Sequence, residues 1–166
     1  MESGAGTIPV KNFVETVAYL LREAFEGAPE GQPNAFLDRG VGFFSTLAEV
    51  SAESASRDFD GTTIAAQTEH AKFYLDRICE FIHGQTEAVN WEQSWLIETV
   101  NDAEWEALQG SVQKAYANTL TCLAEEREWS AMQVGMAMGL IAHTAYHLGA
   151  IRQLAKKESS STDEHG

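Results

Sequence analysis

The stretch AMQVGMAMGLIAHTAYHLGAIRQLAKK, residues 131–157, decides the fold of this chain. It contains no proline, and its apolar residues recur at steps of three and four, which predicts one long amphipathic helix. At 1.5 Å per residue such a helix is roughly 40 Å long. The side predicted to face the core reads Met132, Met136, Leu140, His143, His147, Ile151 and Leu154. This helix is therefore expected to carry two histidines into the interior.

Three other long helices are predicted upstream of that stretch. Apolar periodicity places them at about 11–26, at about 62–83 and from Asn101 onward. Asn101 with Glu104, and Ser130 with Gln133, have the spacing of capping boxes at the starts of the third and fourth long helices. A shorter helix is predicted over 42–54, between two loops rich in glycine or aspartate.

These elements indicate an all-α fold. No strand candidate is longer than a few residues, so the helices are expected to form an antiparallel bundle. The connection between the first and second long helices is about 35 residues, longer than a simple hairpin needs. The length of 166 residues fits one domain. We expect the bundle over 1–157 and a disordered polar tail, ESSSTDEHG, over 158–166.

The connection over 85–100 holds Trp91 and Trp95. We expect it to pack aromatic rings over one end of the domain.

The charge of the chain excludes one class of partner. Eleven Lys and Arg against 25 Asp and Glu leave a formal net charge of -14, which repels nucleic-acid phosphates and anionic lipid headgroups. The start MESGAGTIPVKN has neither the basic nor the apolar part of a secretory signal. The longest run without polar side chains, 134–142, is shorter than the ~18 residues of a membrane span. We therefore expect a soluble cytoplasmic protein that binds neither nucleic acid nor membrane.

Cys79 and Cys122 lie far apart in amphipathic segments. No CxxC spacing indicates a zinc knuckle or a redox pair. We interpret them as two free buried thiols in a reducing cytoplasm.

The histidines are the strongest functional signal. His143 and His147 are four residues apart, so both imidazoles lie on one side of a helix and can reach one metal ion. His70 falls on the inward stripe of the second long helix. Each could instead be a core histidine bonded to a carbonyl or hydroxyl group. Burying three imidazoles without partners costs several kcal/mol, however, whereas one divalent cation satisfies all three.

Two familiar metal arrangements do not fit. The segment HTAYH (143–147) lacks the glutamate that follows the first histidine in HExxH zinc proteases. A di-iron bundle needs an ExxH pair on each of two helices, and the only one here is Glu80 to His83. We interpret His83 as a cation at a helix C-terminus, and His165 lies in the tail.

Three blocks of the chain resemble the DinB-like superfamily: GTTIAAQTEHAKFYL (61–75), VNDAEWEAL (100–108) with the tryptophans before it, and HTAYHLGAIRQ (143–153). The most specific part is the His-x3-His-x-Gly element, and the upstream His70 matches as well. The resemblance covers nearly the whole chain. It implies a four-helix bundle, a homodimer, and a divalent metal ion held by His70, His143 and His147.

The resemblance also implies a class of activity. Characterised relatives include transferases and isomerases that use mycothiol, bacillithiol or glutathione. Zinc or nickel on three neutral histidines keeps a position open for water or substrate. This favours a metal-dependent transferase that uses a low-molecular-weight thiol. Gln67, Tyr74 and Tyr146 are pocket candidates, each also explicable as packing or as support for a ligand. The alternative is a non-enzymatic bundle protein that binds a metal or a small ligand.

Overall fold

A computed structural model describes residues 7–31, 33–125 and 127–163, with side chains up to residue 158. Within these ranges the chain forms helices and no strand, which confirms the all-α class. A single turn of 3-10 helix lies at Trp91–Trp95. The α-helices are α1 (Val10–Glu26), α2 (Phe43–Ala48), α3 (Ala52–Ala55), α4 (Ile64–Ile82), α5 (Asp102–Ala124) and α6 (Ala131–Asp163).

Two predicted helix boundaries were wrong. The segment 42–54 forms two short helices, because the Ser51 side chain accepts a hydrogen bond from the Ser54 backbone N–H and so begins α3 separately. α6 continues to Asp163, beyond the predicted end at Lys157, since no glycine or proline stops it there. The predicted disordered tail is thus helical through Asp163, and 164–166, with His165, lie outside the described residues.

Side-chain caps start α5 and α6 where the sequence predicts. At α5, Asn101 Oδ1 accepts from the Glu104 N–H at 3.0 Å, and Glu104 Oε2 accepts from the Asn101 N–H at 2.9 Å. The same exchange joins Ser130 and Gln133 at the start of α6. Each exchange satisfies backbone N–H groups that the first helical turn leaves unpaired. Both predicted capping boxes are confirmed.

One hydrophobic cluster draws on all four long helices. α4 packs against both α5 and α6, and α1 packs against the same two helices. Fully buried members include Leu21 of α1, Leu75 of α4, Val112 of α5 and Leu140 of α6. Met132, predicted in the buried stripe of α6, is 71% exposed. That part of the prediction was wrong, because Met132 lies in the first turn of α6 and none of the neighbouring helices covers it.

The connection after α1 is fixed by a buried carboxylate. Glu23 is fully buried, and its two oxygens accept backbone N–H groups of Ala35, Phe36 and Leu37 at 2.7–2.8 Å. Burial raises the pKa of this carboxyl, but the three hydrogen bonds outweigh it, so the pKa is lowered overall. The long connection is therefore held against α1.

One helix passes a simple test for membrane spans. Over Ala131–Glu158 the chain is long and apolar enough to cross a membrane by length and composition. About one third of its most apolar part, 33%, is buried against the rest of the protein. The same helix supplies Leu140, Leu148 and Ile151 to the core, and core helices of soluble proteins pass this test as well.

Candidate metal centre

Three histidines converge between α4 and α6. His70 projects from α4, and His143 and His147 project from successive turns of α6. The Nε2 atom of His143 is 3.1 Å from Nε2 of His70 and 3.2 Å from Nε2 of His147. One ligand atom from each residue lies within 4.8 Å of the others. The packing of α4 on α6 therefore assembles a cluster that neither helix holds alone.

The separations between these nitrogens fit a shared ion. Zinc–nitrogen bonds are about 2.0–2.1 Å, so two nitrogens in a tetrahedral shell lie about 3.3 Å apart. The two Nε2 separations of 3.1 and 3.2 Å are close to that value. Two of the three nitrogen pairs therefore have the separation that a shared cation requires.

Hydrogen bonds to the far ring nitrogens orient two of the histidines. His147 Nδ1 lies 2.6 Å from Gln67 Oε1, and Gln67 Nε2 donates to the Thr62 hydroxyl. His70 Nδ1 lies 2.7 Å from Ser94 Oγ, which itself donates to the Trp91 carbonyl. Both partners are acceptors, so each histidine carries its proton on Nδ1. The lone pair on each Nε2 is then directed into the cluster, as in a metal ligand supported from behind.

His143 is oriented in a different way. Its ring stacks on the Tyr74 ring, with centroids 3.7 Å apart and planes inclined by 10°. Its Nδ1 is buried and has no hydrogen-bond partner among the described residues. Packing, rather than a hydrogen bond, therefore fixes this ring between the other two histidines.

Burial keeps the cluster uncharged at neutral pH. Desolvation, together with a smaller contribution from the neighbouring histidines, lowers the pKa of His147 to about 3 and that of His143 to about 4. Desolvation also lowers the pKa of His70. Neutral imidazole is the form that binds metal, so protons compete weakly for these nitrogens.

Aromatic rings form the rim of the cluster. The Trp95 indole stacks on His70, with centroids 3.9 Å apart and planes at 15°, and Trp91 lies against Tyr74 at 5.9 Å. Tyr146 meets His147 edge to face at 4.9 Å, but its side chain is 71% exposed. The 85–100 connection thus packs its tryptophans at the histidine cluster.

The structure brings five of the six residues singled out in the sequence into this region with at least partial burial. Tyr146 touches the cluster only from outside. Sequence reasoning missed Ser94, which is fully buried and accepts from His70, and the stacking role of Trp95. No periodicity marks a residue in a short 3-10 turn, so only the position of that turn against α4 reveals these two contacts.

The comparisons with known proteins add no relative. No protein-family model, curated protein or solved structure matches this chain.

Proposed function

We propose that this protein binds one divalent metal ion, zinc or nickel, through His70, His143 and His147. The observation that carries the proposal is the convergence of one ring nitrogen from each of these three histidines within 4.8 Å. Gln67 and Ser94 support it, because they fix the tautomers that leave two of those nitrogens unprotonated. Imidazole ligands suit zinc and nickel, whereas calcium and magnesium prefer oxygen.

Three protein ligands favour a catalytic metal site over a structural one. Structural zinc sites use four protein ligands, while catalytic sites use three and leave a position for water or substrate. The cluster found in the described residues contains three histidines and no cysteine, aspartate or glutamate. An open position at such a site is therefore part of the proposal.

For the reaction, we propose transfer of a low-molecular-weight thiol to an electrophile. A bound zinc or nickel ion would supply a Lewis acid that lowers the pKa of the thiol. The chain's own contribution is to hold three neutral imidazoles in place and to shield them with Trp95 and Tyr74. Gln67 and Trp95 also line a neighbouring cleft of about 560 Å³.

The charge of that cleft restricts which thiols suit the site. Its lining residues include Asp58 and Glu98 and no lysine or arginine. With a net charge of -14 on the chain, an anionic cosubstrate would be repelled at this wall. A thiol without net negative charge therefore suits the site best.

We propose the DinB-like four-helix bundle as the arrangement behind this site. α1, α4, α5 and α6 would form its four corners, and the pairings of α4 and of α1 with both α5 and α6 support it. The segments between α1 and α4 would form its long connection.

We also propose a homodimer, because α6 has an apolar face that the described residues leave exposed. Met132, Met138 and Tyr146 are 71, 61 and 71% exposed. Gly135 and Gly149 share that face, and a Cβ added at either meets no atom within 4 Å. A two-fold pairing of α6 helices would cover it. Met138→Glu should then yield monomers by light scattering, while Thr121→Glu on exposed α5 surface should not; a monomeric unaltered protein would refute the dimer.

Metal analysis of the purified full-length chain tests the site. We expect close to one equivalent per chain, and less than a tenth of that in the double variant His143→Ala, His147→Ala. His83→Ala is the matched control, because His83 is a histidine of α4's C-terminal end that contacts Glu125 instead of the cluster. Full-length protein that stays without metal after reconstitution would contradict the proposal.

A thiol screen tests the reaction separately. Metal-loaded and metal-stripped protein are compared with neutral and anionic thiols and one electrophile such as a chloronitrobenzene. We expect turnover only with metal, and faster turnover with the neutral thiols. If the protein binds metal but its metal-loaded and metal-stripped forms react at equal rates, it binds metal without this catalysis.

A further inference from the structure

The two cysteines of the chain meet at the interface of α4 and α5. Cys122 is 3% exposed and Cys79 is half-buried. Cys122 Sγ lies 4.0 Å from the Cys79 carbonyl oxygen, which places the Cys122 side chain against the turn of α4 that carries Cys79. Both are free cysteines. Facing helices therefore bring together two thiols that are 43 residues apart in the sequence.

Polar groups surround this pair on several sides. The Cys79 thiol lies 3.5 Å from Thr119 Oγ1, and Cys122 Sγ lies 4.0 Å from His83 Nδ1. His83 Nε2 is 2.9 Å from Glu125 Oε2, while Arg127 donates to the Cys122 carbonyl. His83 and Glu125 are about half-exposed, so the cluster opens toward solvent at the end of α4.

The thiol pair is separate from the histidine cluster. His70 and Cys79 are nine positions apart on α4, which is roughly 13 Å along the helix axis. None of the contacts that orient the histidines involves a cysteine. A role for the thiols is therefore independent of the proposed metal site.

The surroundings make the two thiols unequal. The pKa of Cys79 is lowered to about 7, mainly by a hydrogen bond from Cys122 and less by Thr119 and His83, against the opposing effect of burial. The same hydrogen bond and burial raise the pKa of Cys122. Cys79 is therefore the more readily ionised thiol of the two and Cys122 the one that keeps its proton, which is the division of roles that stepwise thiol oxidation needs.

We propose that Cys79 and Cys122 form a peroxide-sensitive dithiol, in which Cys79 is oxidised first and Cys122 then closes a disulfide between α4 and α5. The Cys79 thiolate attacks one oxygen of hydrogen peroxide, the O–O bond breaks, and hydroxide leaves with the former thiol proton as water. The Cys122 sulfur then attacks the sulfenic acid sulfur, the S–O bond breaks, and a second water leaves with the Cys122 proton.

The overall change balances. Two thiols lose two hydrogens and two electrons, and one peroxide is reduced to two waters. A low-molecular-weight thiol restores the pair by exchange and is itself oxidised to a disulfide. Cys79 and Cys122 are therefore a modification site that can report or buffer peroxide.

The test treats the full-length protein with hydrogen peroxide and counts free thiols after denaturation. We expect the count to fall from two per chain to none and to recover with dithiothreitol. Proteolysis should yield a Cys79–Cys122 cross-linked peptide, which separates the reaction from oxidation of exposed methionines. Two thiols that stay free in the folded protein, at doses that oxidise the chain unfolded in guanidinium, would overturn the proposal, and so would disulfides only between chains.

Single variants assign the two roles. In Cys122→Ser, Cys79 should accumulate as a sulfenic acid that dimedone traps. In Cys79→Ser, the remaining Cys122 thiol should react with peroxide at roughly a tenth of the rate of Cys79 or more slowly still, because it is protonated and buried. Equal rates of peroxide oxidation in the two variants would refute the order of steps. The double variant His143→Ala, His147→Ala should oxidise like the unaltered protein, so failure here is distinguishable from failure of the metal proposal.

Discussion

Ser94→Ala removes one hydroxyl behind the histidine cluster and leaves all three proposed ligands in place. Ser94 is fully buried, and its Oγ is 2.7 Å from His70 Nδ1. Without that acceptor, the Nδ1–H of His70 loses its partner, and the ring is free to rotate or to carry its proton on Nε2. The proposed ligand atom is then less available to an ion, although no ligand has been deleted.

The expected magnitude follows from the class of contact. Removing a hydrogen-bond partner behind a metal-bound histidine lowers metal affinity about 10- to 100-fold, or about 1.4–2.7 kcal/mol. The alanine variant also loses the bond from Ser94 Oγ to the Trp91 carbonyl, which contributes about 1 kcal/mol to folding. Trp95 still stacks on His70, so we expect weakened binding rather than none.

Zinc affinity is measured by competition with a chromophoric chelator, and stability by urea unfolding of the metal-free protein. Ser111→Ala is the matched control, because the Ser111 hydroxyl also donates to a carbonyl three residues back, at 2.7 Å, but contacts no histidine. We expect Ser94→Ala to lose zinc affinity and some stability, whereas Ser111→Ala, inside α5, should keep its zinc affinity. Unchanged zinc affinity in folded Ser94→Ala protein would refute the role we assign to this hydrogen bond.

Three further predictions concern the histidine tautomers, the hydrogen bonds of the Glu23 carboxylate and a glycine inside α5. In the metal-free protein at neutral pH, 15N–1H NMR should show His70 and His147 protonated on Nδ1; the opposite tautomer would contradict the assigned hydrogen bonds. Glu23→Gln should lower the free energy of unfolding by about 1–3 kcal/mol at pH 7, because charge-assisted bonds to three N–H groups are weakened. Since the folded pKa of Glu23 is lowered, this difference should be full above the unfolded carboxyl pKa of about 4.3 and shrink as pH falls through the folded value; a difference independent of pH would exclude the carboxylate as its source. Gly110→Ala should raise the free energy of unfolding by about 0.5–1 kcal/mol in thermal or urea melts, as Gly110 lies within α5 with no atom within 4 Å of an added Cβ.

The parts of the fold that the sequence predicted are those with local causes. Capping at Asn101 and Ser130 depends on side chains three residues apart, so both starts were correct. The prediction of one helix over 42–54 was wrong because Ser51 begins a second helix inside one apolar pattern. The predicted end of α6 was wrong because polar residues 158–163 lack a stop signal, and composition alone does not end a helix.

The histidine cluster likewise has features that local spacing predicts and features that depend on tertiary packing. Spacing places His143 and His147 on one side of α6, since four residues make about one turn. That His70 faces them depends on how α4 packs on α6, which helical periodicity suggests but does not determine. Ser94 and Trp95 have no pattern at all, because they act through the tertiary position of a short turn. For the same reason the absence of a CxxC motif was a poor guide to Cys79 and Cys122, which meet across two helices.

The existence of α6 was predicted correctly, but part of the face that it turns toward the core was not. Glycine, alanine and methionine occur on every side of its first half, so apolarity does not distinguish an inner face from an outer one. The polar residues determine which face of α6 is the inner one. His147 is 3% exposed, and it reaches Gln67 only if the face of α6 that carries it points at α4. Tyr146 is one residue away, about 100° around the helix, and so must point outward. The inward histidines and the outward apolar stripe are therefore two consequences of one rotation of α6, and the edge contact of Tyr146 with His147 joins them.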